Sequence, residues 1–119
     1  MKIAISSTGK DLEDNVDERF GRCPYFIIVE IENKKIKSSK TIENTATAQM
    51  GRAGISAAEI VANEKVEAII TVNIGPRAFD VFSQFGIKLY QAPGKIKDVI
   101  KQFIDGKLKA ISSPTRTYA

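Results

Sequence analysis

Four of the five arginines in this 119-residue chain stand within two residues of a glycine: Arg19 and Arg22 around Gly21, Arg52 after Gly51, and Arg77 after Gly75. A guanidinium is a planar fork of donors suited to holding an anion in a fixed geometry, whereas lysine offers only a mobile point charge. The thirteen lysines, by contrast, are scattered over expected helix faces and hairpin edges. The competing reading is ordinary pairing of these arginines with Asp17 or Glu18. Cys23, in Gly21-Arg22-Cys23-Pro24, is the one soft ligand besides Met1 and Met50. A thiolate between arginines would have a lowered pKa in principle and would suit an iron–sulfur species. One thiolate cannot hold a four-cysteine cluster, but it could anchor a preassembled one. Against this stands the reading of a small cysteine buried at the start of a strand.

Other chemistry is excluded more firmly. The chain has no histidine, so imidazole acid–base catalysis, histidine metal ligation and a Cys–His nucleophile are all absent. Neither the Walker phosphate loop nor the dinucleotide glycine fingerprint occurs. Gly51-Arg52-Ala53-Gly54 is a generic glycine-rich turn. Two-metal phosphodiester hydrolysis needs converging carboxylates, and none falls on the first strand or beyond Glu67 on the fourth. The expectation is a binding protein, not an enzyme.

The elements that must position these residues centre on Val66–Phe82. Its first part is a continuous apolar run, the pattern of a strand covered on both faces. Gly75 and Pro76 then open a helix carrying Phe79, Phe82 and Phe85, and a helix N-terminus after a glycine turn favours an anion. Strands are expected at 2–6, 25–32, 36–42, 68–72 and 87–91. Helices are expected from Ile55, from Pro76 and from about Ile96, where Ile96, Val99, Ile100, Phe103 and Ile104 follow helical spacing. Short right-handed connections then give a ribonuclease-H-like α/β fold of three layers. Its five-stranded mixed sheet has the order 3-2-1-4-5, with strand 2 antiparallel and three main helices. The ligand crevice belongs where strand order reverses, between strands 1 and 4, lined by Ser6, Ser7, Thr71, Asn73 and Gly75. For Ser7, Thr71 and Asn73 the competing reading is capping of backbone groups.

The length suits one domain over residues 1–111, followed by a loosely ordered tail, 112–119. A net charge of +4 suits an acidic partner without demanding one. A single cysteine fits a reducing compartment, and no leader or membrane-spanning run is read. These features predict a cytoplasmic monomer with no nucleic-acid or membrane partner.

Three segments taken together carry a family resemblance. They are Val16-Asp17-Glu18-Arg19-Phe20-Gly21-Arg22-Cys23-Pro24-Tyr25-Phe26, Gly51-Arg52-Ala53-Gly54, and Ala68 to Phe79 through Asn73-Ile74-Gly75-Pro76-Arg77. They resemble the dinitrogenase iron–molybdenum cofactor biosynthesis family, from Met1 to about Lys107. The resemblance implies a ribonuclease-H-like fold and non-enzymatic binding and transfer of an anionic iron–sulfur cofactor or precursor between donor and acceptor proteins. On that reading Arg19, Arg22, Cys23, Arg52, Asn73, Gly75 and Arg77 bind the cofactor, with Cys23 the metal ligand. One position departs: nitrogenase-linked members commonly carry histidine where this chain has Arg19. The alternative is a regulatory module that binds a phosphorylated small molecule or an acidic partner in the same crevice.

Overall fold

The computed structural model describes residues 1–48 and 53–115. β1 (Lys2–Ser7) runs through the middle of a mixed sheet, antiparallel to β2 (Tyr25–Glu32) and parallel to β4 (Ala68–Thr71). β3 (Lys35–Glu43) extends the sheet beyond β2, and β5 (Lys88–Gln91) lies parallel to β4. This is the 3-2-1-4-5 order expected, with β2 antiparallel to β1. A two-residue β6 (Lys109–Ala110) adds a sixth strand beside β5, giving β3-β2-β1-β4-β5-β6. Two residues leave no periodicity to read, so β6 had no signal in the sequence.

Period-two alternation sends side chains to opposite faces, and each face has its own helices. Ala4, Phe26, Ile28 and Ile69 pack with α1 (Ala53–Ala62) and α2 (Pro76–Gln84). Ile3, Ile5, Ile27, Val29 and Ile70 pack with Ile96, Val99 and Ile100 of α3 (Ile96–Ile104). The apolar spacing of α3 is as expected, and Gly106, at φ 72°, supplies the left-handed residue that ends its last turn. The three phenylalanines of α2 do not share a face. Phe82 is buried, but Phe85 is 66 % exposed because it falls at the C-cap, beyond the last helical residue.

On the α1/α2 side the centre of the core is aromatic. The Phe20 ring lies 5.3 Å from that of Phe26 and 5.2 Å, edge-on, from that of Phe82. Phe20 belongs to the loop between β1 and β2, so this contact fastens a long loop to a helix and a strand together. Phe82→Ala is expected to destabilise the protein by about 3–5 kcal/mol. Denaturant unfolding checks this; a loss below about 1 kcal/mol would mean that the cluster is not packed as described.

Candidate functional site

The register Ser7↔Tyr25 means that the chain leaves β1 and enters β2 at the same rim of the sheet, the carboxyl end of β1 and β4. The intervening loop folds back over that rim because its backbone groups find partners there. Asp17 N–H donates to Ser6 O (2.9 Å), and the Ser6 hydroxyl donates to Asp17 O (2.9 Å) while lying 2.8 Å from the Thr71 hydroxyl. Further along, Asn73 N–H donates to Glu18 O (3.0 Å) and Phe20 N–H to Asn73 O (3.2 Å), a parallel bridge between Arg19 and Asn73. The loop is thereby stitched to both strands at the point where sheet order reverses.

Asp17 sits at the base of this arrangement. Its side chain is 6 % exposed and accepts from Arg19 N–H (2.8 Å), Arg19 Nε (3.3 Å) and Arg19 Nη2 (3.4 Å). A buried carboxylate needs such donors. In return these hydrogen bonds, and then the Asp17 charge, raise the pKa of the Arg19 guanidinium further above its ordinary value. The rest of the Arg19 side chain faces solvent, 58 % exposed. Beside it is a shallow depression of about 510 Å³ whose lining includes Thr8, Asn15, Asp17, Arg19, Val72 and Gly94.

Of the other expected site residues, Gly75 and Arg77 lie at the same rim, where β4 leads into α2. Gly75 is the N-cap of α2 and offers its first turn no side-chain cap, with Pro76 following and Arg77 exposed in that turn. The amide row at this turn is partly taken: Ile74 N–H donates to Thr115 Oγ1 (2.8 Å) and Thr115 N–H to Ile74 O (2.9 Å). Arg22 turns toward the 3-10 turn Thr45–Ala48, where its Nη1 donates to Thr47 O (3.2 Å). Gly21 approaches the start of α1 so closely that an added Cβ would lie 3.0 Å from Gly54 Cα. Arg52 lies outside the described residues, as does Gly51. Ser6, Ser7 and Thr71 are fully buried; the Ser6 and Ser7 hydroxyls satisfy backbone carbonyls, while the Thr71 hydroxyl is bonded to that of Ser6.

Cys23 lies in the core. It is fully buried among Phe20, Phe26 and Ala57, and its thiol donates to Phe20 O (3.2 Å). Burial, and secondarily the Asp17 charge, push the thiol pKa up to about 12. Burial outweighs the nearby positive charge: Arg19 is hydrogen-bonded to Asp17 and Arg22 donates to Thr47 O. Among the described residues no group of three or more His, Cys, Asp or Glu side chains could hold a metal ion.

Two contributors had no sequence signal. Asn44 is buried, its Nδ2 donating to Cys23 O (2.8 Å) and Gly21 O (3.3 Å) while its Oδ1 accepts from Ala46 N–H (3.1 Å). It fixes the backbone beneath Arg22. In sequence it is one more polar residue in a polar loop, as is Thr115.

Residues 1–106 match the family described as dinitrogenase iron-molybdenum cofactor. An uncharacterised Methanocaldococcus jannaschii protein, MJ0580, is 43 % identical over 111 residues, covering 92 % of this chain and 94 % of that one. A second protein of that organism, MJ0327, is 36 % identical over 115 residues, 96 % of this chain and 97 % of that one. The apo form of the orange protein from Desulfovibrio gigas has a TM-score of 0.90 at 28 % identity, over 97 % of this chain and 96 % of that one.

The site geometry makes two expected outcomes. Asp17→Asn keeps an acceptor for Arg19 N–H but removes the charge under the guanidinium, and should cost about 1–3 kcal/mol in denaturant unfolding; no measurable loss would mean the pair is not formed. The Cys23 thiol should react with iodoacetamide at pH 8.5 about a thousandfold more slowly in the native than in the unfolded protein. A thiol pKa raised by folding gives stability that is full below the unfolded value and lost as pH rises toward about 12. Rapid native labelling would contradict the burial.

Proposed function

We propose that this chain, which belongs to the dinitrogenase iron–molybdenum cofactor family, is a non-enzymatic carrier for an anionic iron–sulfur or iron–molybdenum-cofactor-like species. The observation that carries the reading is the guanidinium of Arg19, clamped by Asp17 on one side and open to solvent on the other, beside the β4–α2 turn. A carrier needs a cation that is already oriented before the cargo arrives, because ordering a free arginine costs side-chain entropy. Asp17 supplies that order. Arg77 and the first turn of α2, at the same rim, add a second positive region through side-chain charge and the helix dipole. Arg22 and Arg52 are proposed as outlying contacts and Asn73 as the backbone strut between Arg19 and Gly75.

The cargo on this reading arrives assembled, as a substrate to be passed on. Its hold is ionic and hydrogen-bonded, and Cys23 contributes no ligand: a neutral, buried thiol would have to leave the core and lose a proton first. Weak, exposed attachment suits transfer, since the acceptor must take the cargo away. Metal–sulfur donor and acceptor proteins are accordingly the proposed partners, and the cytoplasm the proposed site of action. No helix among the described residues is long and apolar enough to cross a membrane.

Anaerobic titration with a preassembled anionic iron–sulfur cluster, with bound and free species separated by rapid ultrafiltration, tests the reading. A protein-bound species with charge-transfer absorbance is expected. Arg19→Ala should weaken it by roughly 10- to 100-fold, the worth of a charge-assisted hydrogen bond, and Cys23→Ala should leave it in place. Loss of the chromophore in Cys23→Ala with retention in Arg19→Ala would overturn the assignment.

A further inference from the structure

A second depression, of about 370 Å³, lies on the α3 face and shares no lining residue with the one beside Arg19. Its walls are Ile31, Tyr90, Phe103, Ile104 and Leu108, with Lys34 at its edge. It forms because α3 stops at Ile104 before the sheet does, so the ends of β1 and β2 on this face have no helix above them. The apolar surface does not end at the depression. Met1, which also lines it, is 55 % exposed, and Ile36 is 40 % exposed and directly across the strands from Ile31. Met1, Ile31 and Ile36 therefore form a row across three adjacent strands, since Ile31 N–H also donates to Met1 O (2.7 Å). Isolated exposed apolar residues are ordinary, but a contiguous patch around a hollow marks an interaction surface.

Lysines outnumber carboxylates around the hollow: the acids there are the exposed Asp105, between Ile104 and Gly106, and Glu32, which pairs with Lys37. Lys34 and Lys35 stand at the hairpin, and Lys107 and Lys109 flank Leu108, all exposed. Lys34, Lys107 and Lys109 have no carboxylate partner among the described residues, unlike Lys37, which pairs with Glu32. An apolar centre within a ring of unpaired lysines is the anatomy of a protein–protein contact whose partner brings apolar anchors between acidic residues. Self-association through the neighbouring β3 edge is opposed by that strand's own features: a bulge at Lys37, where the register shifts opposite Glu30/Ile31 of β2, and lysines at 35, 37 and 40.

We propose that this face docks an acidic amphipathic segment of a partner protein, its large apolar side chains filling the hollow and its carboxylates meeting Lys34, Lys107 and Lys109. The site stands apart from the rim carrying Arg19, so a partner held here leaves that rim open. The inference does not depend on the carrier reading, and its test uses no metal.

The test is a titration of the labelled protein, followed by backbone amide NMR. The probe is a synthetic helical peptide with leucine and phenylalanine on one face and glutamate on the other. Saturable shifts are expected at Ile31, Lys34, Ile104, Gly106 and Leu108, with none at Arg19 or Asn73. The same peptide with lysine for glutamate should give no saturation. The Lys107→Glu, Lys109→Glu double variant, altered only at exposed positions, should weaken binding by roughly tenfold. Several results would overturn the proposal: no saturable shift, equal response to the lysine peptide, undiminished binding in the double variant, or saturation by octanoate alone. Dependence of the same amide shifts on protein concentration without peptide would also do so, by pointing to a second copy of this chain.

Discussion

A carboxylate removed from water has to be satisfied, and Asp17 is removed from water at the one place where the sheet changes direction. Leaving such a group unpaired costs several kcal/mol, so the loop must bring its donors with it. The donors come from Arg19, both main chain and side chain, two residues along. Meeting that demand fixes the path of the loop, sets Phe20 into the aromatic cluster with Phe26 and Phe82, and aligns Arg19 against Asn73. The position of the exposed cation is thus a consequence of how a buried anion is neutralised.

This coupling explains which parts of the molecule could be read from the chain. Continuous apolar runs such as Ala68–Thr71 and the helical spacing of Ile96–Ile104 are local patterns, and packing on two faces leaves them no alternative. Strand order followed from connection lengths and handedness. Side-chain partners are a different matter, because they depend on contacts distant in sequence. Nothing in the segment around Thr115 indicates that it closes on Ile74, and nothing around Asn44 indicates that it holds Gly21 and Cys23.

Cys23 shows the same limit in one residue. Two nearby arginines suggest an electropositive thiolate when only the sequence is considered. In the fold, Asp17 and Thr47 each engage one of those guanidiniums, and the thiol turns toward Phe20 O in the core. Proximity along the chain overstated electrostatic influence; burial decided the outcome. The proposed carrier reading accordingly rests on charge and directed hydrogen bonds at the carboxyl rim and not on the Cys23 thiol.

The most direct test of that account is paramagnetic broadening of backbone amide signals when an iron–sulfur species is bound under anaerobic conditions. Amides 17–21, 73–75, 77 and 78 should broaden first, while those of Lys34 and residues 104–108 stay sharp. Selective broadening of the hairpin and the end of α3, with the rim around Arg19 unaffected, would contradict it.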